Sequence, residues 1–289
     1  MLFRSANQTI TLTLSAEESS RLLAAWQEFK TEKTPPYALF QLRPENCVIT
    51  CYTSGKTVFQ GADAHIYAAP FQPHDMILPQ AGSDEVGTGD YFGPVCVCAA
   101  VITENDRQLL HDCMVQDSKS LTDKQIRAAA PLLRAHLLHS LLVVMPDKYN
   151  EVHARYNMNA VKAMLHNQAY VNLAKKAPLP AFRVIDQFTP ETNYYRYLRT
   201  AQEVIRDIHF ETKAEDKYPA VGAASMIARL AFLEAMDKME AHYEMKFQKG
   251  AGSLVDACAR EFADRYGFER LHEVAKLHFK NTGKLQEPR

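Results

Sequence analysis

Much of what this chain could have been is excluded by what its 289 residues lack. No apolar stretch approaches the roughly 18 residues that span a bilayer, so no membrane-crossing segment is expected. The opening residues, MLFRSANQTITLTLS, have neither a long apolar core nor a small-residue cleavage site, and no signal peptide is expected. The six cysteines are scattered, with two (Cys96 and Cys98) inside one apolar run where they serve as small apolar residues. That is no disulfide framework, and a reduced, cytoplasmic protein is the expectation. Internal repeats and low-complexity tracts are absent. His136 and His139, or His272 and His278, lack the partnering Cys/His set of a zinc site. No serine-histidine-acid triad can be argued from spacing. A net charge of −1 neither announces nor excludes a polyanionic partner.

What is present suits a globular protein. An apolar fraction of 47% against 23% charged residues supports a real core, in one large domain or two ordinary ones. Charge is uneven only between 270 and 289. There Arg270, Lys276, Lys280, Lys284 and Arg289 face only Glu273 and Glu287, a segment suited either to phosphate contact or to a solvated helix face.

The first sixty residues read as a separate α+β module. QTITLTL alternates with the strand period. Ser15 followed by Glu18 is a capping-box signature before a helix with Leu22, Leu23 and Trp26 on its apolar side. YALFQLR, CVITCYT and KTVFQG then read as short strands. Residues 61 to 82 carry three prolines and little periodicity, as a short helix and linker would. Beyond them, strand and helix patterns mix. VCVCAAVI, SLLVVMP and AFRVID are strands, while the stretches from Ser120, Asn157 and Tyr218 are helical, as are two more that close the chain. The expected fold class is α/β, a central sheet with helices packed on it.

The chemistry concentrates in GSDEVGTGDYFGPVCVCAA, residues 82 to 100. Gly87-Thr88-Gly89 with Gly93 loosely resembles a dinucleotide loop. That motif must open a helix, however, and the bulky, β-branched run here is a strand. Asp84 and Glu85 are neighbours, and a regular strand sends neighbours to opposite faces. They can share a site only at a strand end or a distortion; otherwise they are a solvated turn. Two further acids favour a site: Asp186, closing an apolar strand, and Glu215, ahead of a helix. Four carboxylates from separate segments can make the oxygen-rich cage that Mg²⁺ prefers, and a pair of such ions can drive phosphodiester hydrolysis.

Five ordered motifs carry a resemblance over the chain from residue 80 onward: DEVGTGDYFGP, DSKSLTDKQI, VIDQF, KAEDKYPAVGAASMIAR and AKLHFKNT. They resemble the type 2 ribonuclease H family, in its bacterial ribonuclease HIII branch. The wider group carries a basic residue where this chain has Thr88, and an aspartate where it has Glu215; both departures point to that branch. The N-terminal module, with SGKTVFQG at its last strand, is similar to the TATA-box-binding-protein-like domain of the same branch. The resemblance implies a ribonuclease H-like mixed sheet with flanking helices, preceded by that small α+β domain. It divides the chain into residues 1–66, a linker at 67–80, and a catalytic domain at 81–289.

It further implies that Asp84, Glu85, Asp186 and Glu215 ligate two Mg²⁺ or Mn²⁺ ions, with Asp84 bridging and with Asp216 or Glu211 as rivals for the fourth place. Gly87, Thr88 and Gly89 would read the ribose 2′-hydroxyl. Ser118, Lys119, Lys217 and Ser225 would contact phosphate, although a cap, a surface lysine or helix packing accounts for each as well. The implied activity is endonucleolytic cleavage of the RNA strand of RNA/DNA hybrids, leaving 5′-phosphate and 3′-hydroxyl ends, by a monomer without an organic cofactor. A preference for single embedded ribonucleotides and a non-catalytic hybrid-binding role are the alternatives.

Overall fold

The computed structural model describes residues 8–71 and 77–286. The chain divides between residues 76 and 77 into two compact units. The first runs β1 (Gln8–Thr13), α1 (Ala16–Ala25), β2 (Ala38–Leu42), β3 (Cys47–Tyr52), β4 (Lys56–Gly61) and α2 (Ala64–Ala68). Its sheet has the order β1-β4-β3-β2, and every neighbouring pair is antiparallel. The capping box forms as the sequence predicts. The Ser15 hydroxyl accepts from the Glu18 amide at 3.1 Å, and the Glu18 carboxylate accepts from the Ser15 amide at 2.8 Å. Strand alternation sends Cys47, Ile49, Cys51 and Phe59 inward, where Leu22 of α1 covers them. Residues 72–76, within the expected linker, lie outside the described residues.

The second unit contains β5 (Gln80–Val86), β6 (Val95–Ile102), α3 (Arg107–Asp112), α4 (Asp123–His136), β7 (His139–Val144), α5 (Pro146–His153) and α6 (Met158–Ala174). It continues with β8 (Phe182–Asp186), α7 (Glu191–Tyr197), β9 (His209–Glu211), α8 (Pro219–His242), α9 (Ser253–Tyr266) and α10 (Lys280–Gln286). The sheet order is β7-β6-β5-β8-β9. The β5–β6 and β6–β7 pairs are antiparallel, while β5–β8 and β8–β9 are parallel. Helices cover both faces. All eight residues of β6 are buried. Cys96, Cys98, Ala100 and Ile102 pack toward α4, α8 and α9, and Val95, Val97, Ala99 and Val101 toward α5, α6 and α7. A strand covered on both sides reads as one apolar run, which is why it was legible.

Helix α8 corrects one expectation. By length and composition it could cross a membrane, contrary to the reading that no stretch approaches that limit; 78% of its apolar window is buried inside the fold. It is the core helix, and Arg127–Asp237 and Arg134–Glu234 pairs at 2.7 Å tie it to α4. Its first turn lies directly on β5. A Cβ on Gly82 would sit 2.3 Å from the Val221 amide nitrogen and 2.5 Å from the Ala220 carbonyl carbon. Only a residue without a side chain permits that approach. Gly82→Ala should therefore cost at least about 1–3 kcal/mol, the usual range for overpacking, seen as a lower denaturant midpoint with unchanged slope.

Candidate active site

The β5–β8 pairing runs from Gln80↔Phe182 to Ser83↔Ile185 and stops. The next residues on each strand are Asp84 and Asp186, so two acids emerge side by side at adjacent parallel strand ends. Open α/β sheets place their sites at such carboxyl ends. On its other edge β5 stays paired with β6 through Val86, in unbroken register. Asp84 and Glu85 thus occupy a strand end and not a distortion, and they face opposite sides. Gln80, Gly82 and Asp84 look toward α8: the Ala220 amide donates to the Gln80 side chain, and the Ser225 hydroxyl donates to Asp84. Ala81, Ser83 and Glu85 look toward α6.

Each acid is held from a different direction. Asp84 is buried and accepts from the Glu85 amide at 2.7 Å. Burial, then the charge of Glu85, pushes its carboxyl up to about 8, with Asp186 adding to the same effect. Asp186 accepts from the Ala214 amide at 2.8 Å. Burial raises its pKa as well, and the Glu215 and Glu85 carboxylates add to the rise. Glu85 runs the other way. Burial would push it up, but the hydrogen bond from His166 and the charge of Lys162 outweigh that and hold it below the usual carboxylate range. Its Oε1 receives the Lys162 ammonium, and its Oε2 accepts from His166 Nε2 at 2.7 Å. Glu215 is paired through Oε1 with Lys119, while its Oε2 is buried without a hydrogen-bond partner.

Of the three acids near the fourth position, Glu211 neighbours Asp186 across the β8–β9 pair, but Glu215 is the one whose carboxylate meets that of Asp186. Asp216 lies half exposed against Lys119 at 2.9 Å. Glu211 faces Lys217, Tyr218 and His209, whose hydrogen bonds lower its pKa to about 2.

The four acids, Lys119 and Ser225 are therefore gathered in one place. Lys217 is not among them, being paired with Glu211. Ser118 is buried, and its amide donates to the Val115 carbonyl. The Gly87-Thr88-Gly89 turn follows β5 directly. Gly87 has φ +94°, and a Cβ there would lie 2.1 Å from the Pro94 carbonyl oxygen, so no other residue fits. Gly89 is exposed with open space around it, leaving its backbone accessible.

Two groups of residues escaped the sequence reading. Lys162 and His166 are one turn apart on α6 and so share a face. The signal was a Lys, His and Tyr at positions 162, 166 and 170 within an apolar helix. The second is Lys276, read from sequence as part of a basic segment suited either to phosphate contact or to a solvated helix face. It is fully buried. Its ammonium donates to the Gly93 carbonyl at 2.5 Å and the Phe92 carbonyl at 3.3 Å. Further backbone bonds join the same strips of chain, Lys276 to Tyr91 at 2.8 Å and Gly93 to Val274 at 2.9 Å, while Tyr91 also binds Gly250 at 2.8 Å. Residues 274–276 thus clamp the loop between β5 and β6. Arg270 and Lys284, from the same segment, are ion-paired with Glu273 and Asp256.

Among the described residues no three His, Cys, Asp or Glu side chains form a ready metal-binding group, and Lys119 and Lys162 engage two of the acids. The donor chemistry nevertheless fits a hard divalent cation. Every acid offers oxygen, the partnerless Glu215 Oε2 is buried, and burial together with neighbouring carboxylates raises the pKa of Asp84 and Asp186, a shift that a nearby cation would oppose.

Comparison with known proteins gives the family. Residues 81–282 match the family model described as Ribonuclease HII, and residues 9–81 match one described as Domain of unknown function (DUF3378). The fold and these matches define a type 2 ribonuclease H: the chain belongs to the ribonuclease HII family, and its full-length relatives are ribonucleases HIII. Ribonuclease HIII of Streptococcus gordonii is 40% identical, over 96% of this chain and 97% of that protein. The Enterococcus faecalis protein of the same name is 39% identical over 97% and 99%. The crystal structure of Bst-RNase HIII in complex with Mn2+ superimposes with a TM-score of 0.73 at 34% identity, covering 96% of this chain and 98% of that one. Aquifex aeolicus RNase H3, at 22% identity and a TM-score of 0.56, shares the fold.

Burial pushes the Lys276 ammonium down to about 7, partly offset by Asp90. A lysine whose folded pKa lies below its unfolded value destabilises while charged, and the cost is relieved as pH rises. Stability should therefore increase between about pH 7 and pH 10.5. In Lys276→Met that slope should vanish, as read by chemical denaturation across that range.

Proposed function

We propose that this chain is a divalent-cation-dependent endonuclease that cuts the RNA strand of RNA/DNA hybrids, leaving 5′-phosphate and 3′-hydroxyl ends. The observation that carries this reading is the meeting of Asp84, Asp186 and Glu215 on one side of two parallel strand ends, with Glu85 at the rim. Mg²⁺ or Mn²⁺ held by these four acids would supply activation of water and stabilisation of charge on the departing 3′ oxygen.

The chain's own residues prepare the rest. The Glu85 amide and the Ser225 hydroxyl fix Asp84, the Ala214 amide fixes Asp186, and His166 fixes Glu85. These three acids are thereby held in one orientation before substrate arrives, which spares reorganisation during reaction. The exposed backbone of Gly89 suits close approach to a ribose, whose 2′-hydroxyl both donates and accepts. Lys119, at half exposure, can turn to a phosphate, as can Ser118 and Lys217 after local rearrangement. The acid cluster repels a polyanion unless cations are bound, so activity should depend on divalent ion.

In this reading residues 1–66 are a TATA-box-binding-protein-like unit that grips the hybrid away from the cut, residues 67–80 link it, and 81–289 catalyse. The exposed Tyr37 and Leu39 of the first unit support contact with a partner there. A monomer acting in the cytoplasm, with no membrane or organic cofactor, completes the proposal.

Asp84→Asn should reduce cleavage of a hybrid by on the order of 10³-fold or more while hybrid binding persists. Normal cutting by that variant would remove Asp84 from the site. Substrates with one ribonucleotide and with a continuous run, each tested in Mg²⁺ and Mn²⁺, separate hybrid cleavage from excision of single embedded ribonucleotides. Binding without cleavage in either metal would leave a hybrid-binding protein.

A further inference from the structure

Glu85 differs from the other acids in holding a lysine ammonium on one carboxylate oxygen and a buried histidine on the other. Lys162 and Glu85 are both nearly sequestered, with 12% and 11% of their side chains exposed. Lys119, which pairs with Glu215, is 50% exposed. Exposed pairs contribute little, whereas breaking a buried pair leaves an uncompensated charge.

The two partners of Glu85 are unequal in another way. His166 is fully buried, its Nδ1 meets the Ser83 hydroxyl at 2.5 Å, and its ring stacks on Phe188 at 5.4 Å. It has no room to leave. Lys162 is a single charge on a flexible stem. Its ammonium already lies 4.0 Å from the centroid of the Phe188 ring, an attractive contact that persists if it lets go of Glu85.

Resting on the reading of Glu85 as a metal ligand, we propose that Lys162 is a built-in counter-cation that a divalent ion must displace from Glu85 in order to load, while His166 keeps the carboxylate in place. Lys162 holds the acids together when no ion is present and competes with the ion when one arrives. The exchange moves no proton and breaks no covalent bond. One positive charge yields to two.

The test measures Mn²⁺ binding by calorimetry and thermal midpoints in chelator and in Mn²⁺, for wild type, Lys162→Met, Lys162→Arg and Glu85→Gln. Lys162→Met should bind Mn²⁺ roughly tenfold tighter, having lost its competitor. It should also melt lower in chelator and gain more on adding Mn²⁺. Lys162→Arg, whose planar fork can hold both carboxylate oxygens, should bind Mn²⁺ more weakly than wild type. Unchanged or weaker binding by Lys162→Met overturns the proposal. Should that variant fail to fold, unchanged or tighter binding by Lys162→Arg does the same. Glu85→Gln should weaken Mn²⁺ binding; wild-type affinity in that variant overturns the reading of Glu85 as a ligand, and the proposal with it.

Discussion

Carboxylates at close quarters repel one another, and this catalytic unit is organised around holding four of them together. Parallel strands β5 and β8 end in register, which forces Asp84 and Asp186 to emerge as neighbours. Glu215 is delivered beside Asp186 by the short turn whose Ala214 amide binds Asp186. The repulsion is met differently on the two faces. Toward α8, burial and the charge of Glu85 push the Asp84 carboxyl up to about 8. Toward α6, Glu85 is kept ionised by a lysine and a histidine. Strand alternation, which separates Asp84 from Glu85, is what lets one cluster hold neutral and charged carboxyls at once.

Much of this was legible in the sequence. The β6 run is apolar at every position because helices cover both its faces, and Asp186 could be read as closing a strand. The Ser15–Glu18 cap was visible because it depends on three consecutive peptide units and nothing distant. The missing elements are short: β9 has three residues and α7 seven, too few for a periodic pattern to stand out. Lys162, His166 and Lys276 were missed for a different reason. A lone cation in a helix or near a basic tail looks solvated, and only tertiary packing shows it turned inward. Likewise, an extended α8 window of small and apolar residues cannot be told from a membrane span until the sheet beneath it is seen.

The helix–sheet contact at Gly82 links architecture to chemistry. By letting α8 rest on β5 backbone to backbone, it brings Ser225, two turns along the helix, within reach of Asp84. The position of that carboxylate is therefore set by packing between rigid elements, not by a loop, and such placement is what preorganised sites require.

The clamp on the loop between β5 and β6 has a consequence for how the molecule matures. Phe92 and Lys276 are separated by 184 positions, and every strand of the sheet is specified before the clamping residues. During synthesis the sheet and its acids can assemble first. The loop at Tyr91–Gly93 is fastened only when the segment around Lys276 has been made and has folded back. A nascent chain thus holds its four acids before the loop beside them is secured, and the closing of a very long loop is the step that completes it.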